Sequence, residues 1–347
     1  MVELASGVDA LYLSGRAAIP GSLLERFEEA RAAAIESGSA EKADFGGEEV
    51  WVAPHSWGKY RYCLRHRHGQ IGLTPSKSLP AIRAQPRSEF VHGFSAASTT
   101  VWFRELLESE CGPVRLSVSR IDLHADFQGW PLAGDDRHRF VCRAACLTTF
   151  EAGSEFNGFQ FGKRASGTVT ARIYDKTEES AKSGAAYWPE IWGARHDPDQ
   201  PVLRVEFEVG REALRQYGLE APEEVLAAIG ALWVDLTSDW LTYRVPTEDQ
   251  TRSRWPVSPE WESVRQAAIA EEALGIDRTY GGRRRGELEL IAQGLVGYLS
   301  SAAALVGSHS LEEALPHVAL LVRSYCAKTE FGFEDRVAAK AQEYLLQ

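Results

Sequence analysis

The sequence predicts an α+β protein: an antiparallel β-sheet catalytic body with packed helices, followed by a mostly helical C-terminal region. Three observations predict it. From Glu49 to Gly210, short alternating β-prone runs recur, broken by Gly and Pro. Apolar residues at helical spacing interrupt them over 98–110 and precede them over 20–37. Beyond Pro222 the helical period takes over.

In chain order, "PGSLLERFEEARAAAIES" (20–37) predicts a helix, because Leu23, Leu24, Phe27, Ala30 and Ala34 share one stripe. "EVWVAP", "KYRYCLRH", "GQIGLTPS" and "AIRAQPRSEFVHG" read as β-hairpins, and "STTVWFRELLESE" (98–110) as a helix. "VRLSVSRIDLHADF" (114–127) is a strong strand, and "DDRHRFVCRAACLTTFEA" (135–152) reads as helical. Strands follow at "GFQFGK", "TVTARIYDK" and "PVLRVEFEVG" (201–210). Helices are expected over 223–244, 259–274, 286–305, 310–327 and 333–346. This gives an N-terminal helical segment (1–45), an α+β body (46–245) and a helical region (246–347), joined by the Pro- and Arg-containing stretch 244–261.

At 347 residues, with 44% hydrophobic and 25% charged residues, the chain is an ordinary globular composition with ample core. It carries no apolar run near the ~20 residues of a membrane span and no basic-then-apolar leader, so a cytoplasmic protein is expected. Five cysteines without a CxxC pair read as reduced thiols, and Cys142 and Cys146 lack a nearby histidine for zinc. A net charge of −11 argues against a nucleic-acid partner, but its distribution is uneven. Residues 1–50 hold ten acids against four Lys/Arg, whereas residues 51–120 hold ten Lys/Arg against four acids.

Strand alternation sorts the charged residues. In "TVTARIYDK", Arg172, Tyr174 and Lys176 share a face. In "SRIDLHADF", Arg120, Asp122, His124 and Asp126 oppose Ile121, Leu123, Ala125 and Phe127. In "PVLRVEFEVG", Arg204, Glu206 and Glu208 oppose Val205, Phe207 and Val209. One sheet containing all three would collect carboxylates, a histidine, a phenol and cations, a donor set that suits Mg²⁺ or Mn²⁺ with phosphate. A solvated face of an antiparallel sheet has the same pattern.

The order "VSRIDLHADF", "FQFGKRASGTVTARIYDKTEE", "PVLRVEFEV" resembles the rolling-circle replication initiators of the Rep_trans type, including filamentous-phage-like members. "QPRSEFVHG" and "SRWPVSPEW" resemble them too, so the likeness spans about residues 45–265. It implies that Tyr174 attacks a DNA phosphodiester, forms a 5′-phosphotyrosine and frees a 3′-hydroxyl. Arg172 and Lys176 would assist by favouring the phenolate. Asp122 and Glu206 would hold Mg²⁺ or Mn²⁺, with Asp126 or Glu208 assisting. The loop "GKRASG" departs from the family text at Ala165, which puts the DNA contact of Lys163 and Arg164 in doubt. The implied partners are an origin hairpin with a single-stranded nick site, a host helicase and polymerase, and a second copy of the chain. A conjugative relaxase of an integrating element shares the catalytic domain, and an origin-binding protein that no longer cuts is the non-enzymatic alternative.

Further cationic features are candidate phosphate contacts: Lys59, Arg61 and Arg65 behind the tip "RHRHG", and Arg283, Arg284 and Arg285 ahead of a helix. The pair His66 and His68 reads as a hairpin tip rather than a metal site. Trp233 and Trp240 read as core, and Trp255 and Trp261 as candidate base-stacking platforms.

Overall fold

The computed structural model describes residues 1–152, 155–164, 167–269, 295–296, 299–300, 302–328, 332–334 and 336–337. The chain divides into two units, Met1–Tyr280 and Gly281–Gln347.

In chain order the first unit contains β1 (Val2–Arg16), α1 (Gly21–Ser37), β2 (Glu41–Phe45), β3 (Glu48–Val52), β4 (Tyr62–His66), β5 (Gly69–Leu73) and β6 (Ile82–Pro86). Next come α2 (Ser88–Phe94), α3 (Ala96–Cys111), β7 (Arg115–Gln128), β8 (Phe140–Cys142), β9 (Leu147–Ala152), β10 (Glu155–Phe161) and β11 (Val169–Asp175). The remainder are α4 (Lys176–Ser183), α5 (Trp188–Trp192), β12 (Leu203–Gly210), α6 (Arg211–Gln216), α7 (Pro222–Ala227), α8 (Ile229–Asp235), β13 (Leu241–Tyr243) and α9 (Pro259–Arg265). Eleven strands form one sheet in the order β2-β3-β4-β5-β6-β1-β7-β12-β11-β10-β9, and β13 pairs with β8 apart from it. The α+β class is as the sequence predicts.

Helix α1 exists because its apolar stripe has a target: Phe27 is fully buried, 5.9 Å from the ring of Phe45 on β2 and 6.4 Å from Tyr62 on β4. Gly38, at φ 70°, ends it in the left-handed conformation that favours glycine. The long neighbours β1 and β7 pair along almost their full lengths, from Val2↔Gln128 to Arg16↔Arg115. On the apolar face of the right-hand strands, Ile121, Leu123, Ala125, Phe127, Val205, Phe207, Val209, Ala171 and Ile173 are all fully buried. Trp233 meets Phe207 edge-on at 5.4 Å, and its indole N–H donates to the Val264 carbonyl at 2.9 Å.

Several sequence expectations change, and the helix expected over 223–244 gives way to β13 at Leu241–Tyr243. The helix expected over 135–152 is a short 3₁₀ turn (Gly134–Arg139) followed by β8 and β9, because strand partners β13 and β10 outbid the weak local helical spacing. Residues 2–16, within the expected N-terminal helical segment 1–45, form a strand inside the sheet. It is buried along most of its length, so no polar alternation marks it. The stretch "SEFVHG" turns helical as α2. Trp261 is fully buried with its indole donating to the Thr237 carbonyl at 2.7 Å, and the Trp255 indole donates to the Asp249 carbonyl, so neither presents a free ring face for stacking.

In the second unit, the helix Leu311–Ala327 starts at Ser310, whose hydroxyl accepts from the Glu313 amide at 3.2 Å. Arg283, Arg284 and Arg285 lie outside the described residues, as do most of the helices expected over 286–305 and 333–346. Among the described residues no helix is long and apolar enough to cross a membrane.

Candidate active site

Cross-strand register builds the site. Between β12 and β7, Glu208 faces Asp122, Glu206 faces His124, and Arg204 faces Asp126. Between β11 and β12, Arg172 faces Glu206 and Tyr174 faces Arg204. The side chains that alternation assigns to the polar face therefore form one lattice, as the three-strand sheet requires.

This face is not solvated. Asp122, His124, Asp126, Arg204, Glu206 and Glu208 are all buried. Helix α5 roofs part of it: the Trp188 ring lies 3.9 Å from the Arg204 guanidinium and 4.8 Å from the ring of His92 on α2. Burying this many ions is tolerated only when each has partners. Arg204 spans two carboxylates, giving Nε and Nη2 to Asp126 at 2.7 and 2.8 Å and Nη1 to Asp9 on β1 at 2.8 Å. Trp192 adds an indole donor to Asp126 at 2.8 Å. Arg120 holds Asp122 at 2.7 and 2.5 Å and reaches Glu208 at 2.9 Å.

Between these two clusters lies a different group. The Tyr174 hydroxyl donates to Glu206 Oε2 at 2.8 Å, while Arg172 Nη2 donates to Oε1 of the same carboxylate at 2.5 Å. Burial would raise the Glu206 pKa, but Arg172 holds it below the usual carboxylate range. Burial and the Glu206 charge together push the Tyr174 phenol well above its usual value. The phenol is therefore neutral and hydrogen-bonded to an ionised base. The expectation that neighbouring cations favour the phenolate is reversed, because burial and then the Glu206 charge outweigh the pull of Arg204 and Arg172. Asp122 is raised to about 7, by burial against the pull of Arg120 and with the Glu206 charge adding to the rise.

Lys176 lies beyond the strand, yet its Nζ stands 6.0 Å from the Tyr174 ring on the same polar face. Strand β11 stops at Asp175, whose carboxylate caps α4 by accepting from the Glu178 amide at 3.0 Å. Lys176 is the first residue of that helix, paired with Glu179 and set 4.8 Å from the Trp188 ring. The D-x-x-E spacing in "DKTEE" is the helix-start pattern that predicts this.

Tyr174 lines a cleft of ≈ 520 Å³ with Arg172, Arg164, Gln160, Asn157 and Phe150. Its size is that of a small-ligand cleft. Gly158 pairs with Tyr174 across β10 and β11, and a Cβ there would lie 2.4 Å from the Ile173 carbonyl and 2.9 Å from Tyr174 Cβ. Lys163 and Arg164 are exposed beyond β10, with Arg164 Nε 3.5 Å from Glu208. Lys59, Arg61 and Arg65 are not part of this site. Strand β4 stands six places from β11, roughly 29 Å at ~4.8 Å per strand. There Arg61 is clamped on Glu28 at 2.6 and 2.8 Å, and Arg65 lies 3.2 Å from His55. His66 meets Glu48 at 3.1 Å and His68 stacks on Phe90 at 4.0 Å, which accounts for both without a metal.

The acids expected to hold a divalent ion are each paired with side-chain donors of this face. Asp122 and Glu208 share Arg120, Asp126 holds Arg204 in a two-point pair, and Glu206 is divided between Arg172 and Tyr174. Each carboxylate already has its counter-cation. The residues that sequence reading missed are Asp9 and His92. Both come from segments distant from the strand motifs, and Asp9 is legible only as a lone acid in the apolar run "VDALYL".

No family model and no curated protein matches this chain. A solved structure of a rolling circle replication initiator protein from Geobacillus stearothermophilus is similar to it, with a TM-score of 0.44 and 14% identity, covering 77% of this chain and 98% of that one. A likeness at that level bears on neither the reaction nor the residues that perform it.

Proposed function

We propose that this chain nicks DNA by transferring a phosphodiester to Tyr174, with Glu206 as general base. One observation carries the reading: a neutral phenol donates at 2.8 Å to an ionised, buried carboxylate at the wall of an arginine-lined cleft. A phenol held above its usual pKa cannot attack as a preformed phenolate. Its proton must leave during attack, and Glu206 is within hydrogen-bond reach to take it.

The Tyr174 Oη–P bond forms as the P–O3′ bond breaks. The phenolic proton goes to Glu206, and the departing 3′ oxygen takes a proton from solvent. Arg172 and Arg164 offset charge on the non-bridging oxygens. Exposed Phe150 offers a face for an adjacent base, since any unpaired base can stack on an aromatic ring. In reverse, the 3′-hydroxyl attacks the phosphotyrosine while protonated Glu206 returns its proton, so ends rejoin without ATP. Rolling-circle initiation and conjugative transfer share this step.

The test incubates the full chain and Mn²⁺ with supercoiled DNA carrying the genomic region beside its gene. Relaxation and a protein–DNA adduct surviving denaturing electrophoresis are expected. Tyr174→Phe abolishes both, and Glu206→Gln slows nicking by ~10²–10⁴. Nicking by Tyr174→Phe at the wild-type rate, or specific binding without any nicking, overturns the proposal.

A further inference from the structure

Asp9 on β1, His92 on α2 and His124 on β7 offer ligand atoms that all lie within 4.8 Å of one another. We propose that these three side chains bind one first-row transition ion of the Mn²⁺, Fe²⁺, Co²⁺, Zn²⁺ class, at a site separate from the four strand carboxylates expected to do so. The site stands on its own chemistry and does not require the nicking reading.

The decisive group is His124. It is fully buried, and its Nε2 has no hydrogen-bond partner. Leaving a buried ring nitrogen unsatisfied is costly, so its retention asks for a reason. Its other nitrogen, Nδ1, lies 3.3 Å from Asp126 Oδ1. Asp126 takes both donors of its two-point Arg204 pair, at 2.7 and 2.8 Å, and so acts as an acceptor. Nδ1 therefore carries the proton and donates, and Nε2 presents its lone pair. A carboxylate fixing the tautomer of a histidine whose other nitrogen ligates is the recurring outer-shell arrangement of metal-bound imidazoles.

The remaining donors fit. His92 Nε2 stands 3.3 Å from Asp9 Oδ1. Ligands held at ~2.1 Å in tetrahedral geometry are ~3.4 Å apart, so this pair already has the spacing of two ligands on one ion. Asp9 also accepts from Ser88 Oγ at 3.1 Å and Arg204 at 2.8 Å. A carboxylate offers about four lone-pair sites, which leaves room for an ion. Two imidazoles with one carboxylate select transition ions over Mg²⁺ and Ca²⁺, which take oxygen ligands.

The experiment titrates metal-stripped full-length protein with ZnCl₂, CoCl₂, MnCl₂ and MgCl₂ by calorimetry, and records X-ray absorption of the zinc-loaded protein. One saturable site for zinc, cobalt and manganese is expected, with magnesium at least 10²-fold weaker. Imidazole scattering from two histidines should appear in the absorption spectrum. His124→Gln should weaken zinc at least tenfold, whereas His138→Gln, an exposed histidine elsewhere, should not. The absorption spectrum reads wild-type protein, so it decides even if His124→Gln fails to fold. No saturable binding, a spectrum without imidazole, equal magnesium affinity, or unchanged affinity in folded His124→Gln each overturns the proposal.

Discussion

Replacing Arg204 by Met tests whether the polar face is a network of compensated ions. The residue is fully buried, makes three hydrogen bonds of 2.7–2.8 Å to Asp126 and Asp9, and lies 3.9 Å from the Trp188 ring. Methionine retains most of the aliphatic stem and deletes the charge, leaving two carboxylates without their cation. Breaking a buried pair from one side costs ~3–5 kcal/mol, chiefly the penalty of the orphaned charge. At about 2–4 °C per kcal/mol for a unit of this size, the melting temperature should fall by about 6–20 °C. Circular dichroism melts and urea titrations near neutral pH measure it. Adding Asp126→Asn to Arg204→Met should recover part of the loss. The deficit should also narrow at acid pH, where the orphaned carboxylates take up protons that the wild-type pair refuses. A loss under about 1 kcal/mol, or a double variant less stable than the single one, would refute the reasoning.

Gly158→Ala places a methyl against the Ile173 carbonyl and Tyr174, so it should cost ~1–3 kcal/mol in urea unfolding and cut adduct formation by displacing the phenol. His68 is held down to about 4, by burial first and Arg67 second. Its folded pKa lies below its unfolded value near 6.5, so the unfolded chain binds the extra proton. The associated stability is whole above pH ~6.5 and is lost as pH falls towards 4. In a series of urea midpoints across that window, His68→Phe should flatten the slope by one group's share, and an unchanged slope would exclude it. Arg164→Ala should weaken binding of single-stranded DNA and lower the salt slope by ~1, while Arg61→Ala, already spent on Glu28, should change neither in a fluorescence-anisotropy titration.

What the sequence disclosed follows from where its patterns are one-sided. Helices α1 and α3 each bury one stripe, and β7, β11 and β12 each set apolar residues on one face and ionisable ones on the other, so period alone exposes them. The same alternation put Arg172, Tyr174 and Glu206 on a common face. It could not say which acid would hold which arginine. That depends on cross-strand register, which brings Arg204 opposite Asp126 and Arg172 opposite Glu206. Strand β1 was invisible because it is buried along most of its length. The helical spacing over 135–152 misleads because β8 pairs with β13 far along the chain, while β9 joins β10 in a hairpin. Lys176 was assigned a strand position because alternation was carried past Asp175, the residue that ends the strand by capping the next helix.

The placement of β1 between β6 and β7 has a consequence for biosynthesis. Its partner β7 ends at Gln128, so at ~5–20 residues per second the ribosome needs roughly 6–20 s to supply it after Arg16. Until first β6 and then β7 are supplied, this fifteen-residue strand stands with unpaired hydrogen-bonding edges. Newly made chains should therefore depend on a holding chaperone, and overexpression should fill inclusion bodies unless synthesis is slowed or cooled.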